Sequence, residues 1–188
     1  MAIKVKVGLI GALDMLKFKN MAKVREMAIQ AAPANEITAD YAINNHARDL
    51  HPDYQELIID KVIDHEGAGA RTYLMRSKDG GPLAYFRAGQ YLSLKLSIDG
   101  SSLSRPYSIS SAPKDALKGV VSVTVRSNPG GFAAEHMLSE FKEGDKVLSS
   151  GPQGNFYYEP LRDPEHIVAL AGGSGITPFL SMAQAVAD

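Results

Sequence analysis

Arg105, Pro106, Tyr107 and Ser108 form the stretch of this sequence whose residue types and spacing could do the most definite chemistry. The guanidinium of Arg105 presents a planar fork of donors that suits a phosphate group. Tyr107 lies two residues further along, so in an extended strand its ring shares a face with Arg105 and can lie against a planar ligand. Ser108 adds a small hydroxyl near the polar edge of such a ligand. The alternative is that these residues only pack at the edge of a strand.

A second stretch of interest begins at Gly130 and Gly131, between a predicted strand and a predicted helix. Glycines let the backbone approach a ligand closely, and the free N–H groups at a helix N-terminus attract a pyrophosphate. The pattern therefore favours a pyrophosphate site. The alternative is an ordinary loop that contains glycines.

A third stretch, residues 172–178, reads Gly-Gly-Ser-Gly-Ile-Thr-Pro. It follows an apolar segment at 167–171 that we predict to be a buried strand, and it opens an apolar helix, which is the setting of a dinucleotide phosphate turn. It departs from G-x-G-x-x-G because Pro178 replaces the last glycine. The alternative is a glycine-rich turn without a ligand. Ser174 is not expected to be a hydrolase nucleophile, because Ile176 stands where the G-x-S-x-G elbow needs glycine.

The composition excludes several other classes of function. The 188 residues include 20 Lys and Arg and 21 Asp and Glu, so the formal net charge of −1 provides no cationic field for nucleic acid. Cysteine is absent, which excludes disulfides, a cysteine nucleophile and a thiolate-held iron–sulfur cluster within this chain. The five histidines lack metal-ligand spacing, so no metal site is expected. No apolar run approaches the roughly 20 residues that span a bilayer, and we expect a cytoplasmic protein.

Charge is unevenly distributed along the chain. Residues 1–30 hold six Lys and Arg against two acidic residues. A basic N-terminal arm of this kind could meet a membrane surface or an acidic partner. The alternative, which we favour, is a solvated helix face.

The elements that position these residues follow from the hydrophobic pattern. Apolar residues at helical spacing predict helices near residues 13–30, 38–49 and 132–141. Segments rich in β-branched and aromatic residues, separated by glycine-containing turns, predict strands at 57–59, 62–63, 71–76, 91–98, 120–126 and 146–150. The predicted fold class is mainly β with α: an antiparallel barrel, preceded by a helical segment and followed by the first βα unit of a parallel sheet. The predicted parts are residues 1–53, 54–162 and 163–188.

Taken together, the order and spacing of these stretches resemble the ferredoxin–NADP reductase-like flavoprotein family over residues 57–188. Residues 105–108 match the family's R-x-Y-S flavin motif, and Gly89, Gln90 and Tyr91 match its GQY strand start. Residues 130–134 resemble its pyrophosphate helix. Residues 144–145 and 151–156 resemble its GD…GP-x-G-x-F segment. Residues 172–178 resemble the start of its pyridine-nucleotide domain.

The resemblance implies a Greek-key barrel that binds FAD, with NAD(P)H as reductant and a one-electron acceptor such as an iron–sulfur protein or domain, or a ferredoxin. FAD is favoured over FMN because the double-glycine helix start suits a pyrophosphate. By analogy Arg105 holds the phosphate, Tyr107 packs on the isoalloxazine and Ser108 lies near its reactive nitrogen, so Tyr107 and Ser108 are the candidate catalytic residues.

The further cofactor-binding residues that the resemblance implies fall into three groups. Beside Arg105 and along the next strand these are Pro106, Thr124, Val125 and Arg126. At the helix start they are Gly130, Gly131, Phe132 and Ala133, the last three as backbone donors to the pyrophosphate. Facing the nicotinamide or flavin edge are Gly173, Gly175 and Thr177.

Two departures from the family pattern carry expectations of their own. Ala134 stands where many members have a hydroxyl residue, so pyrophosphate binding relies on the backbone. Nearly all of the nucleotide domain is missing from residues 163–188, so the chain is predicted to be a fragment whose terminal helix leaves Phe179, Leu180 and Met182 exposed. The alternative function is a non-catalytic β-barrel binding module without flavin.

Overall fold

The computed structural model of the protein describes residues 9–32 and 41–187. It divides the chain into two compact units, residues 1–39 and 40–188. The first unit contains helix α1, Leu9–Ala31, which confirms the predicted helix and extends it at its N-terminal end. Its described side chains, from residue 20 onward, are exposed, whereas the basic residues before position 20 lie outside the described side chains.

The second unit begins with helix α2, Ala42–Leu50. The start predicted at residue 38 lies outside the described residues. None of the side chains of α2 is buried. Within the two described ranges, no helix is both long and apolar enough to cross a membrane.

Six antiparallel strands form one curled sheet in the second unit. In chain order they are β1 Tyr54–His65, β2 Ala70–Ser77, β3 Tyr91–Ile98, β4 Ser101–Ser108, β5 Val120–Arg126 and β6 Lys146–Ser150. The bounds predicted for β3, β5 and β6 are confirmed. The two short runs predicted at 57–59 and 62–63 are a single strand, because a bulge between Ile59 and Lys61 interrupts their register with β2 without ending the strand.

The strand order is β4-β3-β6-β1-β2-β5, which makes the sheet a half-barrel. Its two edges meet where Ile109 bridges Val123, and there the N–H of Ser110 donates to the carbonyl of Ser122 at 2.8 Å. Strand β6 returns to lie beside β3, so β3, β4, β5 and β6 follow the Greek-key order. The antiparallel Greek-key architecture predicted from the sequence is therefore present, with its edges joined at one bridge.

Alternate residues of the strands fill the inside of the half-barrel. Two further helices, α3 Pro113–Leu117 and α4 Phe132–Glu140, contribute Ala116, Ala133 and Met137 to the same core. Burying these apolar side chains is the main source of stability for the unit. The strands contribute the residues Leu57, Ile59, Tyr73, Met75, Leu92, Leu94, Leu96, Ile98, Val121, Val123, Val125 and Val147.

The strand predicted at residues 167–171 is absent, so that prediction is wrong. These residues have no regular structure, and Val168 and Leu170 are 87% and 88% exposed. A parallel strand needs neighbours to complete its hydrogen bonds, and the described part of the chain contains only antiparallel ladders.

The terminal helix α5, Thr177–Ala187, is present and packs on the half-barrel. Ser181 Oγ donates to the carbonyl of Ser111 at 2.6 Å, and the Phe179 ring meets the Phe156 ring edge to face at 5.6 Å. Phe179 and Met182 are half-buried, so the expectation that both would be exposed is wrong. Leu180 remains 46% exposed.

Candidate functional site

Arg105 and Tyr107 lie on the same face of strand β4, as their spacing predicts. Their cross-strand partners on β3 are Leu94 and Leu92, both fully buried. Because directly paired residues of an antiparallel ladder point to the same side, Arg105 and Tyr107 face the inner side of the half-barrel at its edge strand. The arrangement places a cation and an aromatic ring side by side on an open edge.

The two side chains differ in burial. Tyr107 is half-buried against the core, and burial raises its pKa while the charge of Arg105 acts in the opposite direction. Arg105 is exposed and donates one hydrogen bond, from Nη1 to the carbonyl of Ser104 at 3.0 Å. No ion pair among the described residues includes Arg105, so the rest of its donor fork faces solvent. A phosphate could be bound there beside the ring of Tyr107.

Pro106 and Ser108 take the opposite face of β4. Pro106 pairs with Ser93 and is exposed, and it is tolerated here because β4 is at the edge of the sheet. Ser108 is the last residue of the strand and is half-buried. Its hydroxyl and the ring of Tyr107 therefore lie on opposite faces of β4, at the end of this edge strand.

The three candidates on β5 separate into one buried and two accessible side chains. Val125 is 1% exposed and belongs to the core, so its side chain cannot line a cofactor and only its backbone could do so. Thr124 and Arg126 point to the other face. Thr124 Oγ1 lies 2.7 Å from Thr72 Oγ1 and 3.2 Å from Ser110 Oγ. Val125 could thus line a cofactor only through its backbone, and the assignment of these three residues to the cofactor stays a prediction.

Arg126 connects the end of β5 with the third glycine-rich stretch. Gly173 has a φ of +56°, and a Cβ added to it would lie 3.1 Å from Nη1 of Arg126. The turn then continues as a 3-10 helix, Gly173–Ile176. The close approach brings the candidate residues Arg126 and Gly173 together, although they are far apart in the sequence.

The hydroxyl of Thr177 is used inside this turn. Thr177 Oγ1 donates to the carbonyl of Ser174 at 3.0 Å, and the residue is 7% exposed. The hydroxyl hydrogen of Thr177 is therefore used inside the turn, and the position of Thr177 at the nicotinamide or flavin edge stays a prediction. Gly173 and Gly175 are exposed, so their backbone is accessible.

The N-terminus of α4 has the glycine-rich geometry that the sequence predicts. Gly130 has a φ of +78°, which favours glycine, and a Cβ on Gly131 would lie 2.8 Å from the carbonyl oxygen of Asn128. Two of the three predicted backbone donors are used in the turn itself. The N–H of Gly131 donates to Asn128 and that of Phe132 to Gly130. In the described part of the chain, no acceptor is found for the N–H groups of Ala133 and Ala134.

Glu135 is a residue of this site that the sequence reasoning missed. Its Oε1 accepts the N–H of Gly130 at 3.1 Å, while its own N–H donates to the carbonyl of Gly131 at 2.9 Å. Acidic residues are common in the first turn of a helix because the N-terminus carries partial positive charge. That position in the predicted helix is the signal that could have identified it.

A second feature that the sequence reasoning missed is a hydroxyl network on the face of the sheet opposite the core. Ser110 Oγ lies 2.9 Å from Ser122 Oγ, and both connect through Thr124 to Thr72. The network borders a cavity of about 350 Å³ beside α5. Its members come from β2, from β5 and from the segment that follows β4, so no sequence motif joins them all. Elsewhere in residues 9–32 and 41–187, no His, Asp and Glu side chains gather as metal ligands would.

These groups fit FAD. Arg105 has donors directed to solvent, the ring of Tyr107 is held beside them, and α4 presents unused N–H groups behind a glycine that a side chain could not replace. A flavin needs a surface for its planar ring and positive groups for its phosphates. The carboxylate of Glu135 and the missing hydroxyl at Ala134 are the two features that oppose a pyrophosphate.

Comparison with known proteins gives a family match over the same residues. A family model described as the oxidoreductase FAD-binding domain matches residues 60–158, which is more than half of the chain. Flavohemoprotein A of Dictyostelium discoideum is 33% identical over 149 residues, covering 71% of this chain and 35% of its own length. The toluate 1,2-dioxygenase electron transfer component of Pseudomonas putida is 40% identical over 103 residues, covering 55% of this chain and 29% of its own.

A solved structure shows the same architecture. The cytochrome P450 reductase GcoB of Amycolatopsis superposes with a TM-score of 0.60 at 31% identity, over 73% of this chain and 40% of the other. The chain spans about a third of the length of the two curated relatives, at 35% and 29%. The matches therefore cover only part of those proteins.

Proposed function

Because this chain belongs to the family of oxidoreductase FAD-binding domains, we propose that it is the flavin-binding portion of an NAD(P)H-dependent oxidoreductase. When bound, the flavin supplies the chemistry, accepting a hydride from NAD(P)H and passing electrons singly to an acceptor. The observation that carries the proposal is the pair Arg105 and Tyr107, which share the inner face of edge strand β4 with the guanidinium open to solvent.

The chain's own residues bind and orient the cofactor. Arg105 binds a phosphate of FAD. The ring of Tyr107, which its contact with the core holds in one orientation, packs against the isoalloxazine. Ser108, across the edge of the strand, offers a hydroxyl to the reactive edge of the ring. The N-terminus of α4, through Ala133 and its neighbours, receives the pyrophosphate.

The acceptor is proposed to be an iron–sulfur protein or domain, or a ferredoxin. Two of the similar proteins are described as an electron transfer component of a dioxygenase and as a cytochrome P450 reductase, which supports a role in passing electrons to a separate oxygenase. Residues 163–188 are proposed to begin a nucleotide-binding domain, after a flavin domain at 54–162 and a helical extension at 1–53. We also propose that the protein is cytoplasmic, because its proposed reductant NAD(P)H is available there.

Equilibrium titration of the 188-residue chain with FAD tests the proposal. We expect saturable binding with quenched flavin fluorescence, and Arg105→Ala to weaken it about 10- to 100-fold, since a hydrogen bond to a charged group contributes about 1.5–3 kcal/mol. Arg76→Ala is the matched control, because Arg76 is an exposed arginine of β2 paired with Asp60.

Two results would contradict this assignment. A folded wild-type chain that binds no flavin would favour the alternative, a β-barrel binding module without a cofactor. Equal losses of affinity in Arg105→Ala and Arg76→Ala would show that general charge, and not the position of Arg105, governs binding.

A further inference from the structure

The first turn of α4 carries a negative charge at the place where the proposed function puts a negative ligand. Glu135 Oε1 accepts the N–H of Gly130, one of the two glycines that open the helix. The side chain of Glu135 is exposed, and none of the ion pairs among the described residues includes it. Its carboxylate therefore meets the helix N-terminus without a neutralising cation.

The backbone leaves few donors to compensate for this charge. The N–H groups of Gly131 and Phe132 are used within the turn, and Ala134 has no side-chain hydroxyl to offer. Only Ala133 and Ala134 retain N–H groups for which no acceptor is found in the described ranges. A third donor, that of Gly130, becomes available only when the Glu135 carboxylate releases it.

We propose that Glu135 is an internal competitor for the FAD pyrophosphate and lowers the affinity of the chain for FAD relative to FMN. The inference rests on the proposed function, because it takes the N-terminus of α4 as the pyrophosphate site. When FAD binds, the carboxylate gives up the N–H of Gly130, and its charge stays close to the pyrophosphate and repels it. FMN has only one phosphate, which corresponds to the FAD phosphate that the proposed function puts on Arg105, so FMN brings less negative charge to the helix start and is repelled less by this carboxylate.

A purely structural role for Glu135 predicts the opposite result. An acidic residue in the first turn stabilises a helix through the helix dipole, so its neutralisation should loosen α4 and weaken binding. Competition instead predicts that neutralisation strengthens FAD binding even though α4 becomes slightly less stable. The sign of the change in affinity thus separates the two roles.

The test compares Glu135→Gln with wild type in titrations of the 188-residue chain with FAD and with FMN, at low and high ionic strength. We expect Glu135→Gln to bind FAD about tenfold tighter at low ionic strength, with the gain shrinking as salt screens the repulsion. The affinity for FMN should rise by a clearly smaller factor. Glu140→Gln removes the same charge from the exposed other end of α4 and should leave both affinities at the wild-type value.

Other outcomes would overturn the inference. Unchanged or weaker FAD binding in Glu135→Gln would make Glu135 a helix-stabilising residue only, with the proposed function intact. Equal strengthening of FAD and FMN binding would show that the carboxylate changes flavin binding in general and does not specifically repel the pyrophosphate. A wild-type chain that binds neither flavin would overturn the proposed function together with the inference.

Discussion

The half-barrel of β1–β6 and the segment that follows it, residues 161–187, illustrate two different requirements for folding. Every strand of the half-barrel finds an antiparallel partner within the same chain. In the later segment only α5 and the short 3-10 helix before it are formed, while residues 167–171, which are as apolar and β-branched as the strands, remain exposed. A helix satisfies its backbone hydrogen bonds locally, whereas a parallel strand depends on neighbours from other parts of a sheet.

Stability should reflect this difference most strongly. Leu57 is fully buried in β1, and Leu57→Ala should destabilise the half-barrel by about 2–5 kcal/mol because it leaves a cavity. Leu170→Ala makes the same chemical change at an exposed position and should alter stability by less than about 0.5 kcal/mol. Urea unfolding followed by far-ultraviolet circular dichroism measures both. Similar losses in the two variants would show that residues 167–171 are packed in solution.

The rate of flavin reduction should also depend on which of the two regions the reductant requires. Dithionite should reduce the FAD-loaded chain normally. Reduction by NADH or NADPH should be slower, by on the order of 100-fold or more, than in a site that positions the nicotinamide fully, since a poorly positioned reactant loses that much rate. A doubly wound site binds its nucleotide between neighbouring parallel strands, and we propose that residues 163–188, with α5 and its glycine-rich turn, supply only the first edge of such a site. Stopped-flow absorbance at the flavin band measures the rates. Rapid, saturable reduction by micromolar NADH would show that this edge is sufficient.

The smallest expected effect is a pH dependence confined to the half-barrel. Tyr73 is fully buried, its hydroxyl donates to the carbonyl of Met137 at 2.6 Å, and burial raises its pKa to about 12. The native state therefore holds this proton more tightly than the unfolded chain, in which a tyrosine has a pKa of about 10. Its contribution to the free energy of unfolding is complete below about pH 10 and is lost as the pH rises towards 12, by about 2–3 kcal/mol.

Urea unfolding of wild type and Tyr73→Phe across this pH range measures that loss. The variant lacks the phenol, so its stability should fall less steeply with pH, and the remaining slope belongs to groups such as the half-buried Tyr107. Tyr158→Phe, at an exposed position, is the control and should follow wild type. Identical slopes in all three proteins would show that Tyr73 does not control the alkaline transition.

Much of the site can be located from local sequence, because strand periodicity is a property of neighbouring residues. The alternation along β5 places Val121, Val123 and Val125 on one face and Ser122, Thr124 and Arg126 on the other. Applied to Val125, that pattern already predicts a side chain that faces the core. The shared face of Arg105 and Tyr107 follows from the same reasoning.

Contacts between distant residues could not be predicted in this way. The approach of Arg126 to Gly173 and the hydroxyl network of Thr72, Ser110 and Thr124 depend on how the strands pair across the curled sheet. None of these has a fixed spacing that a motif could record.

The sequence by itself determined most of the strand spans, the antiparallel class of fold and the three stretches proposed for the flavin site, since these follow from periodicity, turns and residue chemistry. The Greek-key order was implied by the family resemblance. Tertiary structure alone decided that residues 167–171 do not form a strand, that α5 docks on the half-barrel through Ser181, and that the hydroxyl of Thr177 donates within its own turn. The physical reason is that a strand needs a neighbouring strand, a helix face needs a surface to pack on, and a hydroxyl donates to whichever acceptor the fold brings near. A local sequence pattern does not record these partners.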